Sequence, residues 1–259
     1  MKILACIDAG PAAKAVLDMA AELGKLLGDD VDAIHVREPD MLPPNDLADR
    51  AEVKLRVTEG DPVAEISAAI AGSDVSMGVI GARRHRGGAR PAGHIAIAIA
   101  ESAGKPIAIV SPDSKRLPLR RVLVPCDGTP MTTSATDPFV SMLVQAGLEI
   151  VAVHVFDATT TPPFWEGPGH HTDAWRQEFL ARCCSHPGAR LEIRSGAPST
   201  QLVDATRDAE ADLVVLAWSR DFSSGHARVV RAALEESDAP VILLPILDPA
   251  HKVGAAAGL

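Results

Sequence analysis

The 259-residue chain has no tyrosine, and aromatic residues make up only 3% of it. Its core must therefore be aliphatic, and the stacking platforms that hold single-stranded nucleic acid are excluded. Positive charge is also in short supply, with 25 Lys and Arg against 34 Asp and Glu and a net charge of −9. Broad binding to nucleic acid, which needs many cationic contacts to phosphate, is not expected. Four cysteines stand without regular spacing, so a disulfide framework is excluded and a reducing, cytoplasmic location is expected. No apolar run reaches the ~20 residues that cross a bilayer. Met1-Lys2-Ile3 leads straight into a strand-like run rather than a signal peptide, and no membrane partner is expected. What remains is 47% apolar and 23% charged residues, enough core for one large or two small soluble domains.

An internal repeat decides between these. Ile3-Leu4-Ala5-Cys6-Ile7-Asp8-Ala9-Gly10-Pro11 is echoed by Val122-Leu123-Val124-Pro125-Cys126-Asp127-Gly128-Thr129-Pro130. The interval between Asp8 and Asp127 also separates His35-Val36 from His154-Val155. A longer interval relates Gly60 to Gly196 and Gly81 to Ala217, and a slightly shorter one relates Pro106 to Pro240. Ordered landmarks with two changes of interval are what a tandem duplication leaves. Repeat 1 is placed at residues 1–113 and repeat 2 at 119–247, joined by a short Pro/Lys/Arg linker from Ser111 to Arg120. The Gly/Ala-rich tail, 248–259, has no periodic pattern and is expected to be disordered.

Within each copy strand and helix signals alternate. Ile3–Ile7, Val31–Val36, Val53–Val57, Met77–Ile80 and Ile107–Val110 read as buried strands. Ala13, Val16, Leu17, Ala20, Leu23 and Leu27 form one helical face. Pro11, Pro62, Pro130 and Pro198 fall where a first helical turn tolerates proline. His94-Ile95-Ala96-Ile97-Ala98-Ile99-Ala100 alternates like a strand, yet its alanines and its helical counterpart, Arg228–Glu235, make it a helix. Between strands two and three, repeat 1 has room for a turn or two of helix, whereas in repeat 2 Trp175, Phe179 and Cys183 mark a longer one. The fold class is α/β: two tandem three-layer α/β/α domains, each built on a five-stranded, mostly parallel, Rossmann-like sheet. Ligands in such sheets bind beyond the carboxyl ends of the strands, where strand order reverses.

The strand-Asp starts at Cys6-Ile7-Asp8 and Pro125-Cys126-Asp127 resemble the universal stress protein family. So do the His-Val ends of the second strands, the Gly-x-Pro loops and the closing strands after Pro106 and Pro240. The resemblance covers the chain twice over and implies the adenine nucleotide alpha hydrolase-like variant of the fold. It also implies pairing of Ile107–Val110 with Val241–Leu244 across an intramolecular pseudo-dimer, with further homodimerisation open. Fusion of two such units makes that association independent of concentration.

Relatives that bind ATP carry a loop of the form Gly-x-x-Gly, a fixed spacer, then Gly-Ser or Gly-Thr, in which glycines let the backbone approach phosphate. Repeat 1 reads Gly81-Ala82-Arg83-Arg84, a spacer one residue short, then Gly93-His94. Arg84 stands for a glycine and His94 for the hydroxyl residue. Repeat 2 has Ala217 and Ala227 in the glycine places and Trp218 beside the first. A non-glycine residue in the left-handed region costs about 1–2 kcal/mol, so both loops are expected to take another shape. By resemblance, the contacts to ATP or AMP in repeat 1 are Ile7, Asp8, Val36, Ile80, Gly81, Arg84, Gly93, His94 and Ile95. In repeat 2 they are Asp127 and Val155. The better-kept loop puts the expected nucleotide site, a weak one, in repeat 1.

Arg83, Arg84, His85, Arg86 and Arg90 either grip a polyphosphate or form a solvated loop. Asp8 and Asp127 contact adenine or cap the first helix of each copy. His35 and His154 read as packing residues, Cys6 and Cys126 as buried thiols. Cys183-Cys184-Ser185-His186 and His170-His171 lack the spacing of a zinc site, and no metal or catalytic residue is assigned. The leading reading is a stress-response protein without enzymatic activity. The alternatives are an adenine-nucleotide sensor or slow ATP hydrolase, and a nucleotide-free scaffold for an unknown protein partner.

Overall fold

The computed structural model describes residues 1–37, 42–82, 93–114, 117–156, 173–223 and 227–246. Repeat 1 runs β1 (Lys2–Cys6), α1 (Ala13–Leu27), β2 (Asp30–Val36), α2 (Asn45–Arg50), β3 (Lys54–Thr58), α3 (Pro62–Ala71), β4 (Val75–Gly81), α4 (His94–Ser102) and β5 (Ile107–Val110). Repeat 2 follows with β6 (Arg121–Pro125), α5 (Pro130–Gln145), β7 (Glu149–Phe156), α6 (Asp173–Cys183), β8 (Arg190–Ser195), α7 (Pro198–Asp208), β9 (Leu213–Trp218), α8 (Arg228–Glu236) and β10 (Val241–Pro245).

All ten strands lie in one sheet in the order β3-β2-β1-β4-β5-β10-β9-β6-β7-β8. Pairing is parallel inside each half, and the halves meet through antiparallel β5 and β10, with Ile109 opposite Val241 and Ile107 opposite Leu243. Strand order reverses between β1 and β4 and again between β6 and β9, which opens a crevice at the carboxyl edge of each half.

Alternation along the strands feeds two cores. Ile3, Ala5 and Ile7 face the layer holding α1, α5 and α6, together with Met77, Phe139 and Phe179. Leu4, Cys6 and Val36 face the layer holding α3, α4, α7 and α8, together with Ile99, Leu202 and Trp218. Each core takes residues from both repeats, so the hydrophobic interior is continuous across the seam between them.

The linker is fastened where it enters repeat 2. Leu119 N–H donates to Glu22 on α1 at 3.1 Å, and the N–H groups of Arg120 and Arg121 both donate to the Asp212 carboxylate at 2.9 Å. Local signals account for several helix ends. Pro62, Pro130 and Pro198 open α3, α5 and α7, and Gly28 closes α1 in a left-handed conformation. The alternating segment is helical, with Ala96, Ile99 and Ala100 buried. Pro11 is an exception: it lies in the turn before α1, whose N-cap is Ala12. The 248–259 tail lies outside the described residues.

Candidate functional site

At the carboxyl edge of repeat 2 a cavity of about 540 Å³ opens between β6, β7, β9 and the first turns of α7 and α8. Val155, Leu202 and Leu216 give it an apolar floor, while Asp127, Thr132, Ser199 and Arg228 supply the polar rim. Room comes from small residues: Ala197, Ala217 and Ala227 stand where bulkier side chains would fill the space. The first turn of α8 forms one wall and has no side-chain cap, so its N–H groups and Arg228 make that wall the electropositive one.

Asp127 is held in place by its neighbours. One carboxylate oxygen accepts from Thr129 N–H at 2.8 Å and Thr129 Oγ1 at 2.9 Å, the other from Thr132 Oγ1 at 2.8 Å. The cap of α5 is Thr129, which accepts from Thr132 N–H. The capping role expected of the aspartates therefore falls elsewhere: Asp8 accepts from Gly10 N–H at 2.8 Å, two residues on, and α1 begins at Ala13 behind an Ala12 N-cap. In both copies the aspartate closes an Asx turn ahead of the helix. Thr129, Thr132, Ser199 and Arg228 were not singled out by sequence reasoning, although Asp-x-Thr-x-x-Thr ahead of a proline-started helix is a legible signal for the first two.

In repeat 1 the topology carries the expected residues to one sheet edge without making them equivalent. Val36 and Ile80 are buried in the α3/α4 layer and Ile95 packs against it, but Ile7 points into the α1 layer. The Ile7 backbone is also engaged, its N–H by Ile34 O and its carbonyl by His35. Gly81 is a glycine for packing reasons, since a Cβ there would lie 2.7 Å from Ala12 Cβ. His94 is exposed at the start of α4, behind a Gly93 with φ −51°. Arg84, with Arg83, His85, Arg86 and Arg90, lies outside the described residues.

Ala227 adopts φ 51°, ψ 29° at the head of α8, a left-handed conformation that strains a residue carrying a Cβ. Ala227→Gly should relieve that strain and raise stability by up to about 1 kcal/mol, read as a higher urea midpoint with unchanged slope. A loss of stability would mean that the turn is not strained. Phe222, in the β9–α8 connection, is buried, 4.8 Å from the Trp218 ring, with the Arg231 guanidinium 4.9 Å above it.

The sequence profile of the universal stress protein family matches residues 1–55 and 118–245. The chain belongs to that family. A universal stress protein from Archaeoglobus fulgidus DSM 4304 is similar in structure, with a TM-score of 0.72 at 16% identity over 95% of this chain and 98% of that one. A functionally unknown protein from Pseudomonas aeruginosa PAO1 gives 0.62 at 11% identity over 95% and 92%. These likenesses show the fold. No curated protein matches the chain.

In this universal stress protein the matched histidines work as struts. His35 and His154 are buried, and each Nδ1 meets the carbonyl that follows the central strand, Ile7 O at 3.0 Å and Cys126 O at 2.6 Å. A carbonyl only accepts, so Nδ1 carries a proton and donates in both bonds. Burial pushes His154 below its ordinary value, partly offset by that bond. As pH falls through about 6.5, the unfolded chain takes up the proton before the folded one, so stability declines on acidification. It levels off only once the folded ring also titrates. Unfolding free energy should therefore drop between pH 7.5 and 5.5, with a slope of up to about 1.4 kcal/mol per unit from this group. His154→Asn should flatten the profile, and an unchanged slope would remove His154 as its source.

All four cysteines are free and buried. Burial raises the Cys6 thiol to about 12 and Cys184 to about 11, and holds Cys126 well above its usual value, so these thiols are inert at neutral pH. Among the described residues no group of His, Cys, Asp and Glu is arranged to hold a metal, and no helix is long and apolar enough to cross a membrane.

Proposed function

We propose that this universal stress protein is a binding protein without enzymatic activity, an intramolecular pseudo-dimer that takes an adenine nucleotide in the cavity of repeat 2. The observation that carries the reading is the cavity of about 540 Å³ at a switch point of the sheet. That volume is within the range of small-ligand sites. The apolar floor suits a flat base, the Asp127 carboxylate can accept from an amino group, and Arg228 with the first turn of α8 can face a phosphate. Asp127 already accepts three hydrogen bonds, which makes it an orienting group rather than a free base. Repeat 1, with Asp8, Gly81, Gly93 and His94, is the second candidate site, favoured by its better-kept glycines.

Thermal melts with AMP, ADP and ATP test the reading. A ligand at 100 times its dissociation constant stabilises by about 2.7 kcal/mol, several degrees for a chain of this size. Asp127→Ala should remove the AMP shift and Asp8→Ala should keep it. The reverse would move the site to repeat 1. No shift with any nucleotide would favour the scaffold, and phosphate release from ATP above blank would favour the hydrolase.

A further inference from the structure

The threonines that hold Asp127 also decide what it can offer a ligand. Asp127 and Thr132 both line the repeat 2 cavity. An ionised carboxylate only accepts, so Thr132 Oγ1, 2.8 Å from Asp127 Oδ2, donates its single proton there. Thr129 Oγ1 lies 2.9 Å from Asp127 Oδ1 and 3.1 Å from Thr132 Oγ1, and its proton goes to the nearer, charged acceptor. With Thr129 N–H also donating to Oδ1 at 2.8 Å, both lone pairs of that oxygen are filled, whereas Oδ2 keeps one. Thr132 Oγ1, its proton committed, can only accept. This wall of the cavity is therefore acceptor-only, with one carboxylate oxygen open. Repeat 1 has no such clamp, because Gly10 and Ala13 stand where repeat 2 has Thr129 and Thr132.

Resting on the cavity reading above, we infer that Thr129 is a specificity-determining residue: by filling Oδ1 it limits repeat 2 to a base with a single amino donor at this wall, adenine rather than guanine. A guanine base presents two adjacent donors, its ring N1–H and its 2-amino group, which together take both oxygens of a free carboxylate. With Oδ1 occupied by Thr129, that two-point contact is closed. An adenine amino group needs one acceptor, and Oδ2 beside Thr132 Oγ1 supplies it. A guanine turned the other way sets its ring carbonyl against oxygens that cannot donate, and an acceptor left unpaired is costly. Thr129 touches no ligand in this scheme. It is a positioning residue that acts through Asp127.

The test is titration calorimetry of the full chain with AMP and GMP, on the wild type, Thr129→Gly, Thr129→Ser and Asp127→Ala. Glycine copies Gly10 of repeat 1 and is tolerated as a helix cap, while serine keeps the hydroxyl. Wild type and Thr129→Ser should bind AMP at least about tenfold more tightly than GMP, the size of one hydrogen bond to a charged group. Thr129→Gly should narrow the ratio to within about threefold by gaining GMP affinity. Thr129→Ala removes the same hydroxyl and should give the same ratio, which keeps the test open if the glycine variant misfolds. A merely structural Thr129 would weaken both nucleotides alike. An unchanged ratio in Thr129→Gly while Asp127→Ala loses AMP overturns the inference and leaves the cavity reading standing, as does equal or tighter GMP binding by wild type. AMP binding that survives Asp127→Ala, or none by wild type, overturns the cavity reading and this inference with it.

Discussion

Residues 1–113 expressed alone are expected to aggregate or self-associate rather than give a stable monomer. In the full chain Ile107, Ala108, Ile109 and Val110 are all 3% exposed or less, because β10 covers the edge of β5. Removing repeat 2 bares that apolar edge, a ready template for another strand. It also uncovers Ile99 and Ala103, which share a core with Trp218, Phe222 and Leu243, and it deletes Leu119, the donor to Glu22. Antiparallel pairing of two copies through β5 would rebuild the seam, so a dimer is the least damaged product. Size-exclusion chromatography with light scattering is the check. A soluble, cooperatively melting monomer would show that the seam is dispensable.

The second large effect is expected from Phe179→Ala. Phe179 is fully buried, its ring 4.6 Å from His154 and 5.1 Å from Trp175 by centroid. In a chain so poor in aromatics this cluster joins α6 to β7. Truncating a buried phenylalanine costs about 3–5 kcal/mol, a large part of the about 5–15 kcal/mol that holds a typical domain folded. The strut from His154 to Cys126 O would lose its backing at the same time. Urea melts should show a lower midpoint at similar slope. A cost below about 1 kcal/mol would mean that α6 is only loosely docked.

The central strands were legible because they are short, nearly unbroken apolar runs, which in a parallel sheet covered on both faces have few other meanings, whereas the outer strands β3 and β8 alternate apolar with charged residues. The helical reading of His94–Ser102 rested on alanine and on its counterpart in repeat 2, and the helix is there. Helix starts were less legible. Four matched prolines look alike in the sequence, but only three begin a helix: α1 starts two residues after Pro11, behind an Ala12 N-cap. The layer that Ile7 faces could have been read from the alternation Ile3, Ala5, Ile7 against Leu4, Cys6. The repeat 2 cavity could not be read in that way. Its volume depends on how small residues from β9, α7 and α8 converge, and the glycines kept at Gly81 and Gly93 point to repeat 1 instead. The bond from Glu101 to Phe222 joins residues far apart in sequence across the seam, and no local pattern announces it.

Calorimetric titration of AMP into wild type and Val155→Trp tests the central claim most directly. Val155 is on the apolar floor of the repeat 2 cavity, and an indole there would fill the space meant for the base. The account predicts one saturable site per chain in the wild type and none in Val155→Trp, with the far-ultraviolet circular dichroism of the two proteins superimposable. Undiminished AMP binding by the folded variant, or no AMP binding by the wild type, would contradict it.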